Sequence, residues 1–399
     1  MQENDVTKGI NFQRKVYGFL RAAFGWAYAR FIDLRYTPYE PKSETFLLIS
    51  NHTNDLDCFF NVIITKRHMR YVANERITSG LLGKVIKFLV GPIPRVKGAP
   101  TDKLVAAVMQ NLRSGISVAM YPEAIKTWDG ITGHISKKTA AIAKGSGAGL
   151  ITLRVDGGYL RYPHWAAKSR RGPVYAEVVR EYMAQELAEM SVDEIFDAML
   201  SDLNVNAFEY QQQHMFEYNG KDLAENVEMV CYICPKCFSI GKMHSSGNNL
   251  ACTECEYKIK YNKYGFFEGD GVVFNNTLSW SRWQKDWLKE NAQLLRSRTD
   301  APIISNDEVT FIKGNPDGSR SVAAKNTKVF FYGDRIDIVK DESVIRSLIL
   351  DRITKLGSFR RSRISFTEDG NFYQLKTRRP ISGYQYYGLW RILTDREYE

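Results

Sequence analysis

Five of the six cysteines fall between Cys231 and Cys255, and four of them form two pairs, Cys234-Pro235-Lys236-Cys237 and Cys252-Thr253-Glu254-Cys255, fourteen residues apart. Two Cys-x2-Cys knuckles at this separation bring four thiolates to one tetrahedral point, so the spacing predicts a closed structural zinc site rather than disulfides. Cys231 could take the place of Cys234, and His244 is a more remote substitute. The ribbon predicted here covers residues 226–269 and divides the 399-residue chain into a segment before it, 1–225, and a segment after it, 270–399.

The first segment alternates apolar runs of two kinds. Thr45-Phe46-Leu47-Leu48-Ile49-Ser50, Ile116-Ser117-Val118-Ala119-Met120 and Leu150-Ile151-Thr152-Leu153-Arg154-Val155 have the length and density of buried strands. Leu81 to Val90 and the Lys/Ala-rich stretch before Leu150 have helical spacing. Strands alternating with helices predict an α/β layer with a central mixed sheet flanked by helices. Before them, Val16, Phe19, Leu20, Ala23, Phe24, Ala27 and Phe31 recur at steps of three and four among Arg14, Arg21 and Arg30, which predicts a basic amphipathic helix. Such a helix either packs on its own domain or lies in a bilayer interface with Trp26, Tyr28 and Phe24 near the headgroups, and the two roles are compatible.

Three short constellations follow in order. His52 stands at the end of the first buried strand and Asp57 five residues later, so a carboxylate at a helix start could hold the imidazole in one tautomer as a general base. No serine is needed if the substrate brings the hydroxyl. Gly91-Pro92-Ile93-Pro94-Arg95-Val96-Lys97-Gly98 sets Arg95 and Lys97 on a proline-stiffened loop where a phosphate could be held by charge. Tyr121-Pro122-Glu123-Ala124-Ile125-Lys126 places Glu123 and Lys126 directly after the second buried strand.

Order and spacing resemble the glycerolipid acyltransferase family typified by 1-acylglycerol-3-phosphate acyltransferase, over roughly residues 10 to 220. Its motifs run Asn-His-x4-Asp, Gly-x-Ile-Pro-x-x-Arg, Phe-Pro-Glu-Gly-Thr-Arg-Ser and, fourth, a short strand with proline. The resemblance implies O-acyl transfer from an acyl thioester, acyl-CoA or acyl carrier protein, to a hydroxyl of a lysophospholipid-type acceptor. His52 would be the general base, Asp57 its orienting carboxylate, and Arg95, Lys97, Glu123 and Lys126 the substrate-binding set. The chain departs from the third motif at Ala124, Ile125 and Lys126, and lacks the proline of the fourth near Leu153; a lysine cannot make the bidentate fork of an arginine, so the acceptor is left open.

In the last segment a Trp-bearing helix (Trp280, Trp283, Trp287) precedes residues that read as strands from about Ile303, with a hairpin turn at Asp369-Gly370 and a closing helix from Ser382 to Leu393. This mainly β segment resembles a pleckstrin-homology or GRAM-type module, on which Lys355, Arg360, Arg361, Arg363, Arg378 and Arg379 could meet anionic headgroups. A solvated basic face on a small β domain accounts for those residues equally well.

The formal charge of +10 points to an anionic partner, a phospholipid surface or nucleic acid. Met1-Gln2-Glu3-Asn4-Asp5 is polar, so no secretory leader is expected, and no apolar run reaches spanning length. The expectation is a cytoplasmic protein, peripheral on the inner face of the cell membrane, with anionic phospholipid as partner and no nucleic acid. The alternatives are a catalytically inactive membrane scaffold and a zinc-ribbon nucleic-acid-binding protein.

Overall fold

The computed structural model describes residues 6–53, 57–74, 80–95, 101–123, 125–315, 319–359 and 361–396. The chain divides into two compact units. One comprises Met1–His164 with Ser169–Asn219, the other Trp165–Lys168 with Gly220–Glu399.

The first unit is built on β1 (Leu34–Tyr36), β2 (Phe46–Ser50), β3 (Arg70–Asn74), β4 (Ile93–Arg95), β5 (Val118–Met120), β6 (Gly149–Asp156) and β7 (Val174–Tyr182), ordered β1-β7-β6-β2-β5-β3-β4. Only β6 and β7 pair antiparallel; the other neighbours are parallel, as expected where helices cross over. Phe46 to Ile49 are wholly buried, and the strand period of two sends them into different cores. Leu47 and Ile49 join Leu150 and residues of the helices Thr101–Arg113, Lys138–Ser146 and Val192–Asp202. Phe46 and Leu48 join Ile151, Leu153 and the helices α1 (Ile10–Phe31) and α2 (Asp57–Thr65). A helix α3 (Gly80–Val90) also packs on α1.

Helix α1 turns most of its large apolar side chains outward. Its buried positions are Gln13, Tyr17, Gly25 and Ala29. Arg70 is buried on β3 and donates to Gln13 Oε1 (3.0 Å) and Asn111 Oδ1 (2.9 Å), so Gln13 supplies an acceptor that an interior guanidinium requires. The outward face carries Phe19, Phe24, Trp26 and Phe31, each more than half exposed, with Phe12 and Leu20 beside them.

In the second unit the cysteine segment forms β8 (Met243–Ser246), β9 (Asn249–Cys252), β10 (Lys258–Tyr261) and β11 (Phe267–Glu268), an antiparallel sheet in the order β11-β10-β9-β8. The remainder forms β12 (Ile304–Gly314), β13 (Arg320–Phe331), β14 (Arg335–Lys340), β15 (Ser343–Ile349), β16 (Ile353–Phe359), β17 (Arg363–Glu368) and β18 (Asn371–Lys376), ordered β15-β14-β13-β12-β18-β17-β16 and antiparallel throughout. Asp369 and Gly370 both have positive φ, 47° and 80°, which is the turn that joins β17 to β18 without splaying them. The helix Gly383–Leu393, capped by Ser382 Oγ on the Gln385 amide (3.0 Å), covers the sheet, and Tyr232, Ile233 and Ile240 of the cysteine segment share its core. The fold is thus a mixed α/β sheet with helices, followed by a four-cysteine segment and a C-terminal all-β sheet.

Candidate functional site

All strands from β2 to β4 across the first sheet are parallel, so their C-terminal ends share one edge, the place where loops are free to carry chemistry. His52 leaves that edge two residues after β2. Its neighbour Asn51 copies a ladder rung: its side chain donates to the Val155 carbonyl (2.9 Å) and accepts from the Val155 amide (2.8 Å), fixing where the strand ends.

The Nδ1 of His52 lies 3.0 Å from Oδ2 of Asp57, the first residue of α2. Asp57 is buried and held in turn, accepting from the Thr53 amide (2.6 Å) at Oδ2 and the Thr53 hydroxyl (3.0 Å) at Oδ1. A carboxylate with this many donors has one orientation available, and so has the imidazole that donates to it. The His52 ring stacks on Tyr121 at 4.3 Å and 16°, and Asn61 donates to the Tyr121 hydroxyl (3.3 Å). Among the described residues no serine, threonine or cysteine side chain is bonded to the imidazole, and none is a partner of Nε2. The ring can therefore take a proton from a group that enters from outside.

Glu123 braces the same loop. Its Oε1 accepts from the His52 amide (2.6 Å) and its Oε2 from the Gly133 amide (2.5 Å). The Thr127 amide donates to the His52 carbonyl (3.2 Å), so His52 is held at both backbone groups. Burial pushes the Glu123 carboxyl up to about 7, against the pull of the two amides. A narrow cleft lined by His52, Thr53, Glu123, Thr127, Tyr159 and Ala207 opens beside these groups.

The structure brings His52, Asp57 and Glu123 together, but Glu123 faces backbone amides with both oxygens. Arg95 ends β4 at the same sheet edge, exposed, three strand spacings from β2 or about 14 Å. Lys126 is half-buried in the loop after Glu123. Lys97 and Ala124 lie outside the described residues. Sequence reasoning assigned no role to Thr53, Asn51 or Tyr121; Asn51 and Tyr121 sit inside the motifs already singled out, whereas nothing local marks Thr53.

The four cysteines Cys234, Cys237, Cys252 and Cys255 converge, with all Sγ atoms within 4.8 Å of one another. Cys234–Cys255 and Cys237–Cys252 are each 3.7 Å apart. A tetrahedron with bonds of about 2.3 Å has edges of about 3.8 Å, so these thiols fit a zinc ion and can hold one. Cys231 and His244 are not in the set. Four sulfur ligands would fill the tetrahedral shell of such an ion.

No protein-family profile matches the sequence, and no curated protein matches it by sequence. Among solved structures it is similar to the 1-acyl-sn-glycerophosphate (LPA) acyltransferase PlsC from Thermotoga maritima, with a TM-score of 0.40 and 15% identity, covering 51% of this chain and 82% of that one. It is also similar to the inner membrane complex sub-compartment protein 3 from Toxoplasma gondii (TM-score 0.18, 13% identity, 27% of this chain and 85% of that one) and to the Vav1 exchange factor (0.19, 12%, 30% and 38%). At these scores the likenesses carry no information about chemistry, which has to come from the site itself.

Proposed function

We propose that the first unit is an O-acyltransferase working at a membrane surface, with His52 as general base and Asp57 as the residue that orients it. The observation that carries this reading is the oriented pair itself: Nδ1 engaged by a carboxylate that Thr53 immobilises, with Nε2 free of a partner and no nucleophile on the imidazole among the described residues. An acceptor hydroxyl placed at Nε2 gives up its proton as its oxygen attacks the carbonyl of an acyl thioester, acyl-CoA or acyl carrier protein. The C–O bond forms, the C–S bond breaks, and the imidazolium returns the proton to the departing thiolate. The thioester donor is supported by the motif order; the lysophospholipid-type acceptor is supported by the lipid-compatible face beside the site.

That face is made by α1 with its neighbours. Phe12 packs on Phe88 of α3 at 4.9 Å, and Tyr28 on Phe59 of α2 at 5.4 Å. Phe59 stands two residues after Asp57, so the helix that presents the orienting carboxylate also contributes to the apolar face. Exposed aromatic side chains gathered on helices, with Lys84 and Lys87 among them, match the headgroup–acyl boundary of a bilayer. No helix among the described residues is long and apolar enough to cross a membrane, so the attachment proposed is peripheral. Arg95 and Lys126 are the cations proposed for the acceptor's phosphate, together with Lys97.

The test is thiol release from acyl-CoA and acyl carrier protein over a panel of lysophospholipid and other hydroxyl acceptors. His52→Ala and Asp57→Asn are each expected to lower turnover by about 10²- to 10⁴-fold while the protein stays folded. Equal turnover in wild type and His52→Ala would remove the mechanism and leave a membrane scaffold.

A further inference from the structure

Asn61 is an amide in the interior of the first unit. It is 1% exposed on α2, its Nδ2 donates to the Tyr121 hydroxyl (3.3 Å), and its Oδ1 has no hydrogen-bond partner among the described residues. Phe60, Ile63 and Ile64 of the same helix are ordinary apolar core. Leucine has the same number and branching of heavy atoms and leaves no buried acceptor unpaired, so an apolar side chain would suit this site at least as well. Stability does not account for Asn61, which directs attention to what its bond holds.

Tyr121 follows β5 directly. The register that pairs Ile49 with Met120 sets Tyr121 level with Ser50, one strand spacing from the loop that carries His52. Its ring and the imidazole then lie face to face, 4.3 Å apart at 16°. Burial pushes the Tyr121 phenol well above its usual value, so the group that meets Asn61 is a neutral hydroxyl. Where the motif this segment resembles has phenylalanine, the chain has tyrosine; a phenylalanine would stack in the same way but would leave Asn61 without its bond. Asn61 and Asp57 are one turn apart on α2 and share a face. One helix therefore constrains the imidazole twice, at Nδ1 through the Asp57 carboxylate and across its face through Asn61 and Tyr121. That helix is fastened on the same side, since Tyr71 of β3 donates to the Cys58 carbonyl (2.9 Å). A bond at Nδ1 alone leaves a ring free to rock about it, and a contact on the ring face removes the positions in which Nε2 would miss an acceptor.

We infer that Tyr121 and Asn61 are positioning residues for the general base: Asn61 holds the Tyr121 ring in place, and that ring fixes the plane of His52. Their effect on rate rests on the acyl-transfer reading, whereas the ring geometry is measurable without turnover.

The test compares the full chain with Tyr121→Leu, which removes the ring, and with the apolar pair Asn61→Leu/Tyr121→Phe, which keeps the ring and removes the bond that places it. In NMR spectra of chain labelled in its histidine rings, the signal absent from His52→Ala identifies His52, and in wild type the stacked tyrosine displaces it upfield. Tyr121→Leu is expected to abolish that displacement and the apolar pair to reduce it. Both are expected to lower kcat by about tenfold or more at nearly unchanged KM, because Nε2 is misplaced while the substrate contacts remain. The Tm of the apolar pair should hold or rise, which a merely structural role for Asn61 would not allow. Wild-type displacement and kcat in the apolar pair would overturn the part given to Asn61. Either one retained in Tyr121→Leu would overturn the positioning altogether. A wild type that releases no thiol with any acceptor would remove the acyl-transfer reading instead, and the spectra would then decide the positioning by themselves.

Discussion

Glu123 makes a demand that its closest isostere cannot meet. Both of its oxygens accept from backbone amides, one on His52 and one on Gly133, and a glutamine has one oxygen to offer and an amide donor that opposes the second N–H. Glu123→Gln is therefore expected to loosen the loop that carries His52 and to cost about 1–3 kcal/mol through the amide left unpaired. The same pair of proteins tests the carboxyl's burial. Its value rises from the usual 4.5 to about 7, so between those limits the folded chain holds a proton that the unfolded chain has released. The stabilisation this gives is complete below about pH 4.5 and is lost as pH rises through about 7. Wild type should thus lose stability relative to the non-titrating Glu123→Gln across that window, by up to about 3 kcal/mol. Thermal unfolding of both proteins at a series of pH values checks it, and parallel curves would remove the buried-carboxyl argument.

At the scale of elements, the site depends on a turn far from it in sequence. Gly157, with φ 75°, and Gly158 follow β6, and a methyl group on residue 158 would overlap the hydroxyl oxygen and Cβ of Thr53. Gly158→Ala is expected to displace Thr53 from Asp57 and to lower turnover by about tenfold or more, with about 1–3 kcal/mol of stability. Thr53→Ala in the same chain removes the hydroxyl, the worst of the overlaps, and keeps the Cβ, so the double variant should recover part of that stability; a strictly additive loss would place the effect elsewhere. Such a contact could not be read from the sequence, because it joins residues about a hundred positions apart through β2, β6 and their register. What could be read was local. The buried strands, the Asp369-Gly370 hairpin, the terminal helix and the four converging cysteines each announce themselves within a few residues. The direction of α1 was not local either: helical spacing marks an apolar stripe, but that Gln13 faces in follows from the buried Arg70, which lies on β3. The cysteine segment makes its own prediction. Purified chain should carry about one zinc, and stripping it with a chelator should unfold the β8–β11 sheet, seen as released metal together with a lower Tm.

For the whole molecule the question is what an excess of ten positive charges and the exposed aromatic face of α1 do together. Charge attracts any anionic surface and is screened by salt, whereas the exposed aromatic face of α1 gains by leaving water and is far less sensitive to salt. The two contributions are separable. Phe19→Ser with Trp26→Ser should weaken binding to phosphatidylcholine vesicles by about tenfold or more, since these side chains are 67% and 76% exposed and each could bury much of its apolar area in the interface. Because neither side chain packs in the core, Tm should hold or rise. Raising salt should reduce the binding that phosphatidic acid adds, yet leave the binding to phosphatidylcholine nearly unchanged. A serine pair that sediments with phosphatidylcholine as well as wild type would mean that α1 keeps its apolar face for something other than lipid. The peripheral attachment proposed for the acyl-transfer site would then lose its physical basis, while the chemistry of His52 and Asp57 would still stand on its own geometry.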